Sequence, residues 1–208
     1  MQIRTYIKKD VVSFRSTKAT FGGLSNMAAG YSIFVNSIFI KTSEALYQAC
    51  KFPEHPDVQH AIITQHSPIT AKKISRKNQQ LVRHDWDDIR VKVMRWCLQV
   101  KLAQNWDTFS RVLKSTGSRA IVEYTKEDKI WGATDIGGGK IQGVNALGRL
   151  LMELRERHVM QGEVIQCVEP PKITNFILFE NQIDWVCDET NDVFDLGSTD
   201  VEHIHTGV

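Results

Sequence analysis

In "KTSEALYQACKF" (residues 41–52), Glu44 and Lys51 stand seven residues apart. A carboxylate there can stabilise developing positive charge or move a proton, and a deprotonated lysine amine can attack an electrophilic carbon. The helical period puts Glu44, Tyr47, Gln48 and Lys51 on one side and Leu46, Ala49, Cys50 and Pro53 on the other. An ordinary surface helix explains the same residues, because the dipole favours a first-turn acid and a lysine favours water. Trp86 in "HDWDD" and Trp131 in "KIWGATD" set aromatic plates beside acids, which suits a stacked base and equally suits a core. "GGGKIQG" matches neither GxxxxGK[ST] nor GxGxxG. Glycines ahead of an amphipathic helix suit a phosphate, or simply a flexible turn.

The surrounding segments must position these groups. "YSIFVNSIFIKT" (31–42) reads as a hairpin turning at Asn36-Ser37. Thr42 or Ser43 can cap the helix of Glu44. Pro68 suits the first turn of a helix over "PITAKKISRKN". Asp85 can cap a long helix whose Ile89, Val93, Trp96, Cys97 and Val100 form a buried stripe. Asp107 can cap a short helix ending at Gly117, and "RAIVEYT" (119–125) suits a strand. "IWGATDIGGGKIQGVN" reads as a glycine-rich loop before a helix marked by Leu147, Leu150, Leu151 and Leu154.

Charge divides the chain. Residues 1–160 hold 25 Lys and Arg against 14 Asp and Glu; residues 161–208 hold one lysine against ten acids. A basic body of 1–160 suits a polyanionic partner, and an acidic extension of 161–208, β-rich or packed on a partner, could compete with it. A merely solvated surface is the plain alternative. No segment reaches the ~20 apolar residues of a membrane span, and no secretory signal opens the chain. Cys50, Cys97, Cys167 and Cys187 are widely spaced and the seven histidines show no metal-ligand pattern. Reduced thiols, a cytoplasmic location and the absence of a metal or cofactor are the expectations.

"FGGLSNM", "TSEALYQACKF", "RHDWDDIRVKVM", "LKSTG" and "DKIWGATDIGGGKIQGVNALGRLLMELR" follow one another in the order and spacing of the NADAR, or YbiA-like, family. The chain resembles that family from about Phe14 to Arg157. The resemblance implies a compact, single-domain, mainly helical α+β fold whose motifs meet in one cleft. It also implies hydrolysis of an N-glycosidic bond between a phosphorylated ribose and an exocyclic amine. One branch removes ADP-ribose from guanine in nucleic acid, often opposing a DarT-like toxin; another cleaves a riboflavin-pathway intermediate to release ribose 5-phosphate. A non-catalytic ADP-ribose-binding module is the third reading.

Carried across by motif, the family's glutamate and lysine are Glu44 and Lys51, with Asp135 as the second acid or a ribose-orienting group. Asn26, Arg76, Trp86, Arg90, Trp131, Gly132, Gly143 and Asn145 are expected to bind substrate, the loop before Asn145 taking phosphate. Glu44 is expected to protonate the leaving amine and activate water, and Lys51 to form a Schiff base with C1″. The excess positive charge favours ADP-ribosylated DNA over a small metabolite, since neutralised phosphates supply much of nucleic-acid affinity. Gly137–Gly139 depart from the family pattern.

Overall fold

The structure is a computed structural model that describes residues 2–188. Its strands are β1 (Arg4–Ile7), β2 (Val12–Phe14), β3 (Ile33–Val35), β4 (Ile38–Ile40), β5 (Ile121–Glu123), β6 (Thr134–Gly137), β7 (Lys140–Gly143), β8 (Cys167–Val168), β9 (Ile177–Leu178), β10 (Asn181–Gln182) and β11 (Val186–Cys187). The helices are α1 (Ser43–Ala49), α2 (Pro56–Ile63), α3 (Pro68–Lys77), α4 (Trp86–Gln104), α5 (Trp106–Ser115) and α6 (Ala146–Leu154), the last continuing into a π-helical turn, Arg155–Val159. The architecture is α+β and mainly helical, with small sheets around the helices. No described helix is long and apolar enough to cross a membrane.

α4 is the axis of the core. Val93, Cys97, Val100 and Leu102 are fully enclosed, and α1, α5, α6 and the extension all pack on this helix. α1 is buried on every side, including its polar face. Thr42 caps it by accepting a hydrogen bond from the Ala45 N–H at 3.3 Å, as a hydroxyl N-cap should. β3 and β4 pair as a hairpin through Asn36 and Ser37, both with positive φ, which matches the strand twist.

Several local expectations are corrected. Asp85 occupies the N-cap of α4, but its carboxylate is engaged by Arg83 at 2.6 and 3.0 Å rather than by the helix backbone. Asn105, not Asp107, precedes α5. The glycine-rich segment is two strands, not a loop. β6 and β7 form a hairpin whose turn, Gly138-Gly139, needs the left-handed backbone that glycine adopts without strain. β7 also pairs with β1 in a three-stranded sheet, order β1-β7-β6, while β2 and β5 pair in parallel.

Residues 161–188 fold back on the body. Phe176, Leu178, Ile183 and Val186 are buried, and Phe176 meets Trp96 edge-on at 5.0 Å. Gln59 fastens the segment through the Ile177 carbonyl (3.0 Å) and the Phe179 N–H (2.8 Å). β8 and β11 align Cys167 with Cys187, and these two form a disulfide. That corrects the expectation of four reduced thiols; Cys50 and Cys97 are free and buried. A separation of 20 residues carries no signal until the two short strands are paired. Half of the extension's ten acids, beginning with Glu189, lie outside the described residues, as does any contact they make with the basic body.

Lys101 is the unusual core residue, 1% exposed. Its ammonium donates to the carbonyls of Gly23 (2.6 Å) and Ser25 (3.2 Å) and lies 4.2 and 4.0 Å from the ring centres of Tyr31 and Phe109. Burial pushes its pKa down to about 7, a penalty on the charged form that carbonyls and ring faces offset. It thereby ties the Gly23–Ser25 loop, which leads into Asn26, to α4. Lys101→Met should lower Tm by several degrees, for about 2 kcal/mol of lost satisfaction of two buried carbonyls. An unchanged Tm in thermal unfolding would contradict this role.

Candidate active site

Three helices each contribute one stripe to a single cleft of about 580 Å³. From α1 and the turn after it come Glu44, Tyr47, Gln48 and Lys51, at i, i+3, i+4 and i+7. From α3 come Lys72 and Arg76, and from α4 Trp86, Arg90 and Met94, at i, i+4 and i+8. These are helical repeats, so each helix turns one face to the cleft and the other to the core. Asn26 and Arg15 reach it from the N-terminal loops, and Glu123, Thr125, Asp128 and Trp131 from β5 and the turn that follows.

Glu44 is 6% exposed. Its Oε1 accepts from Gln48 Nε2 at 2.8 Å and lies 3.8 Å from Lys72 Nζ. A buried carboxylate must have such partners, and the surface-helix alternative for Glu44 is excluded. Lys51 is half-buried, its ammonium 5.5 Å from the Trp86 ring centre and 5.8 Å from that of Tyr47. Burial lowers its pKa to about 8; Glu44 opposes the shift, while Lys72, Arg76 and Arg90 add to it. An amine in that range is partly neutral, and thus nucleophilic, near physiological pH.

Tyr47 forms the aromatic centre. Its ring is 5.0 Å from Trp86 and 5.7 Å, edge-on, from Trp131. Burial, then the charge of Glu44, push its phenol pKa up, so the hydroxyl stays protonated. Asn26 donates to Met94 Sδ at 2.8 Å. Its Oδ1, like Gln48 Oε1, is buried without a hydrogen-bond partner among the described residues. Two orphaned acceptors in a cleft are suited to hydroxyl donors on a ligand. Asp128 Oδ1 accepts from the N–H groups of Ile130 and Trp131 at 2.9 and 2.8 Å, which sets the angle of the Trp131 loop.

Glu44, Lys51, Asn26, Arg76, Trp86, Arg90 and Trp131 therefore share one cleft, while four other motif residues do not line it. Asp135 is exposed on β6, 3.8 Å from Lys8, and its Oδ1 accepts from the Gly137 N–H. Asn145 is fully buried behind the site, accepting from the Glu123 N–H (3.1 Å) and donating to the Ile121 carbonyl (2.9 Å). Gly132 and Gly143 are close-approach positions: a Cβ would meet the Glu123 carbonyl oxygen at 2.4 Å and the Gly132 carbonyl oxygen at 2.1 Å, respectively. Asn145 and Gly132 thereby hold β5, the strand that carries Glu123, and Gly143 packs against Gly132. Gly137–Gly139 form a hairpin turn outside the cleft and do not cradle phosphate there.

Sequence reasoning passed over Glu123, Asp128, Lys72 and Arg15 as site residues, and placed Tyr47 and Gln48 only by their helical face. "IVEYTKED" has no spacing that sets its acids apart from a solvated turn. Burial of Glu123 raises its pKa to about 7, reinforced by Asp128 and Glu44 and opposed by Lys72. Among the described residues no cluster of His, Cys, Asp and Glu is arranged to hold a metal ion.

The NADAR domain model matches residues 13–158. The chain belongs to the NADAR family. The chain is 33% identical to the N-glycosidase YbiA of Escherichia coli K12 over 156 residues, spanning 75% of this chain and 93% of that protein. It is 35% identical over 154 residues to a riboflavin biosynthesis protein of Vibrio vulnificus, covering 74% of this chain but only 40% of that one. The NMR structure of E. coli YbiA superposes with a TM-score of 0.62 at 32% identity, covering 76% of this chain and 89% of that one. Membership places the chain among hydrolases of N-glycosyl bonds.

The extension after residue 160 is outside the matched segment, although its Val168, Phe176, Leu178, Ile183 and Val186 are buried. Because Asp135 lies outside the cleft, Asp135→Asn should leave kcat within about twofold of wild type, as for a surface substitution. A loss of 100-fold or more in a steady-state assay would return Asp135 to the reaction.

Proposed function

We propose that this N-glycosidase removes ADP-ribose from the exocyclic amine of guanine in nucleic acid, an activity that would oppose a DarT-like transferase. The observation that carries the reading is the convergence of Glu44, Lys51 and the Tyr47–Trp86–Trp131 aromatic wall in one cleft rimmed by Arg15, Lys72, Arg76 and Arg90. Cleavage of a ribosyl–nitrogen bond builds positive charge at C1″, and the Glu44 carboxylate, itself buried, stabilises it. Glu44 also accepts the proton of the attacking water. The rings stack on a base or adenine, the cationic rim meets the diphosphate, and the orphaned acceptors of Asn26 and Gln48 take ribose hydroxyls.

Lys51 offers a covalent route. An N-ribosyl amine opens to an imine; the neutral Lys51 amine adds to C1″, the guanine amine departs, and water hydrolyses the resulting Schiff base. The lowered pKa of Lys51 supports this step.

The alternative substrate is a phosphorylated riboflavin-pathway intermediate, favoured by the similarity to the Vibrio vulnificus riboflavin biosynthesis protein. Net positive charge on residues 1–160 supports the nucleic-acid reading, because one phosphate needs no broad basic surface.

Incubation with a guanine-ADP-ribosylated DNA oligonucleotide should release ADP-ribose, and Glu44→Ala should slow release by about 10²–10⁴-fold. Borohydride should trap an adduct on the wild type and none on Lys51→Ala. Cleavage of the riboflavin intermediate with no action on the oligonucleotide would reverse the choice of substrate.

A further inference from the structure

The geometry points to Glu123 as the general acid that protonates the departing amine, a catalytic role that the spacing of acids in the sequence did not reveal. The inference rests on the reading of the Glu44 cleft as the glycosidase site and holds for either substrate.

A departing amine needs a proton at the moment its bond to C1″ breaks. Glu44 is already engaged: its Oε1 accepts from Gln48 at 2.8 Å and lies 3.8 Å from the Lys72 ammonium. Asp135 is outside the cleft. Of the other two acids lining it, Asp128 is exposed and its Oδ1 is taken up by two backbone N–H bonds at 2.9 and 2.8 Å. Glu123 alone of these acids is half-buried with no ion pair recorded among the described residues, at the C-terminal end of β5 and opening on the cleft.

The charges facing Glu123 come from several elements. Asp128 of the following turn and Glu44 of α1 favour its protonated form, and Lys72 of α3 opposes them. Arg15, next to the β2 residue that registers with Glu123, also lines the cleft. One cleft thus holds a carboxyl engaged by Gln48 and Lys72 and a second, Glu123, without such partners among the described residues, an arrangement that can divide the base and acid roles. The backbone at Glu123 is set for such a task. Asn145 holds its N–H, its carbonyl accepts from Ala133 at 2.8 Å, and Gly132 packs against that carbonyl. The motif residues 132 and 145 thus hold the backbone of Glu123.

The step balances simply. The electron pair of the C1″–N bond passes to nitrogen, which takes the Glu123 proton. Water delivers its oxygen to C1″ and its proton to Glu44, and exchange with solvent restores both carboxyl groups. When the Lys51 amine takes C1″ instead, the leaving nitrogen requires the same proton.

The test uses the full chain and the guanine-ADP-ribosylated oligonucleotide, with kcat followed from pH 5 to 9.5. For the wild type, activity should fall on the alkaline side as Glu123 ionises, within a bell whose limbs belong jointly to Glu123 and Lys51. Glu123→Gln should lose about 10²–10⁴-fold in kcat and lack one limb, whereas Glu123→Asp should recover part of the rate together with that limb. A Glu123→Gln profile of unchanged shape, or a rate within a few-fold of wild type in a variant that melts normally, would overturn the assignment. If the variants do not fold, a wild-type profile without an alkaline limb would do the same. A wild type that cleaves neither this oligonucleotide nor the riboflavin intermediate would instead remove the reading of the cleft, and this assignment with it.

Discussion

One short helix carries an acid and its neighbouring turn an amine into a space with little water, and the rest of the structure accommodates that fact. Removing charges from water is costly unless each is paired or hydrogen-bonded. Glu44 is therefore met by Gln48 and Lys72, and Lys51 by two aromatic faces. The residual strain is expressed in the amine, whose burial drives it toward the neutral form against the attraction of Glu44. The same interaction that would be a poor source of stability is a useful source of reactivity.

The scaffold explains why that arrangement persists. α1 is enclosed on all sides, so its polar face has no route to bulk solvent except through the cleft. α4 serves two purposes along one length, turning Trp86, Arg90 and Met94 to the cleft and Val93, Cys97 and Val100 to the core. Arg83 links the site to the extension. Its guanidinium donates to the carbonyls of Thr174 and Asn175 at 2.7 and 3.1 Å, while its N–H bonds the Lys51 carbonyl at 2.9 Å and its carbonyl accepts from the Trp86 N–H at 3.2 Å. Residues 161–188 are thus part of the packing around two cleft residues, although they fall outside the family match.

Much of this was legible in the residues. Period 3.6 separated the two faces of α1 and located the core stripe of α4, and Asn36-Ser37 announced its hairpin by the positive φ that such turns require. Motif order then brought Glu44, Lys51, Trp86 and Trp131 to one place, which they share. What could not be read were contacts that depend on tertiary pairing. Asp135 and Glu123 are both acids near "WG", and only the pairing of β5 with β2 and of β6 with β7 decides which one faces the cleft. Asn145 looked like a ligand contact because a motif does not distinguish a residue that touches substrate from one that holds the strand behind it. The Cys167–Cys187 bond likewise follows from strand register alone.

Burial makes Lys51 an amine partly neutral near physiological pH. Methylation of the lysines with ¹³C-labelled reagent, assignment of Lys51 by its loss in Lys51→Arg, and an NMR titration from pH 6 to 12 measure that directly. The account predicts a midpoint near 8, moving lower in Glu44→Gln as the opposing charge is removed. A midpoint at or above about 10.4, the value of a free lysine, would contradict it.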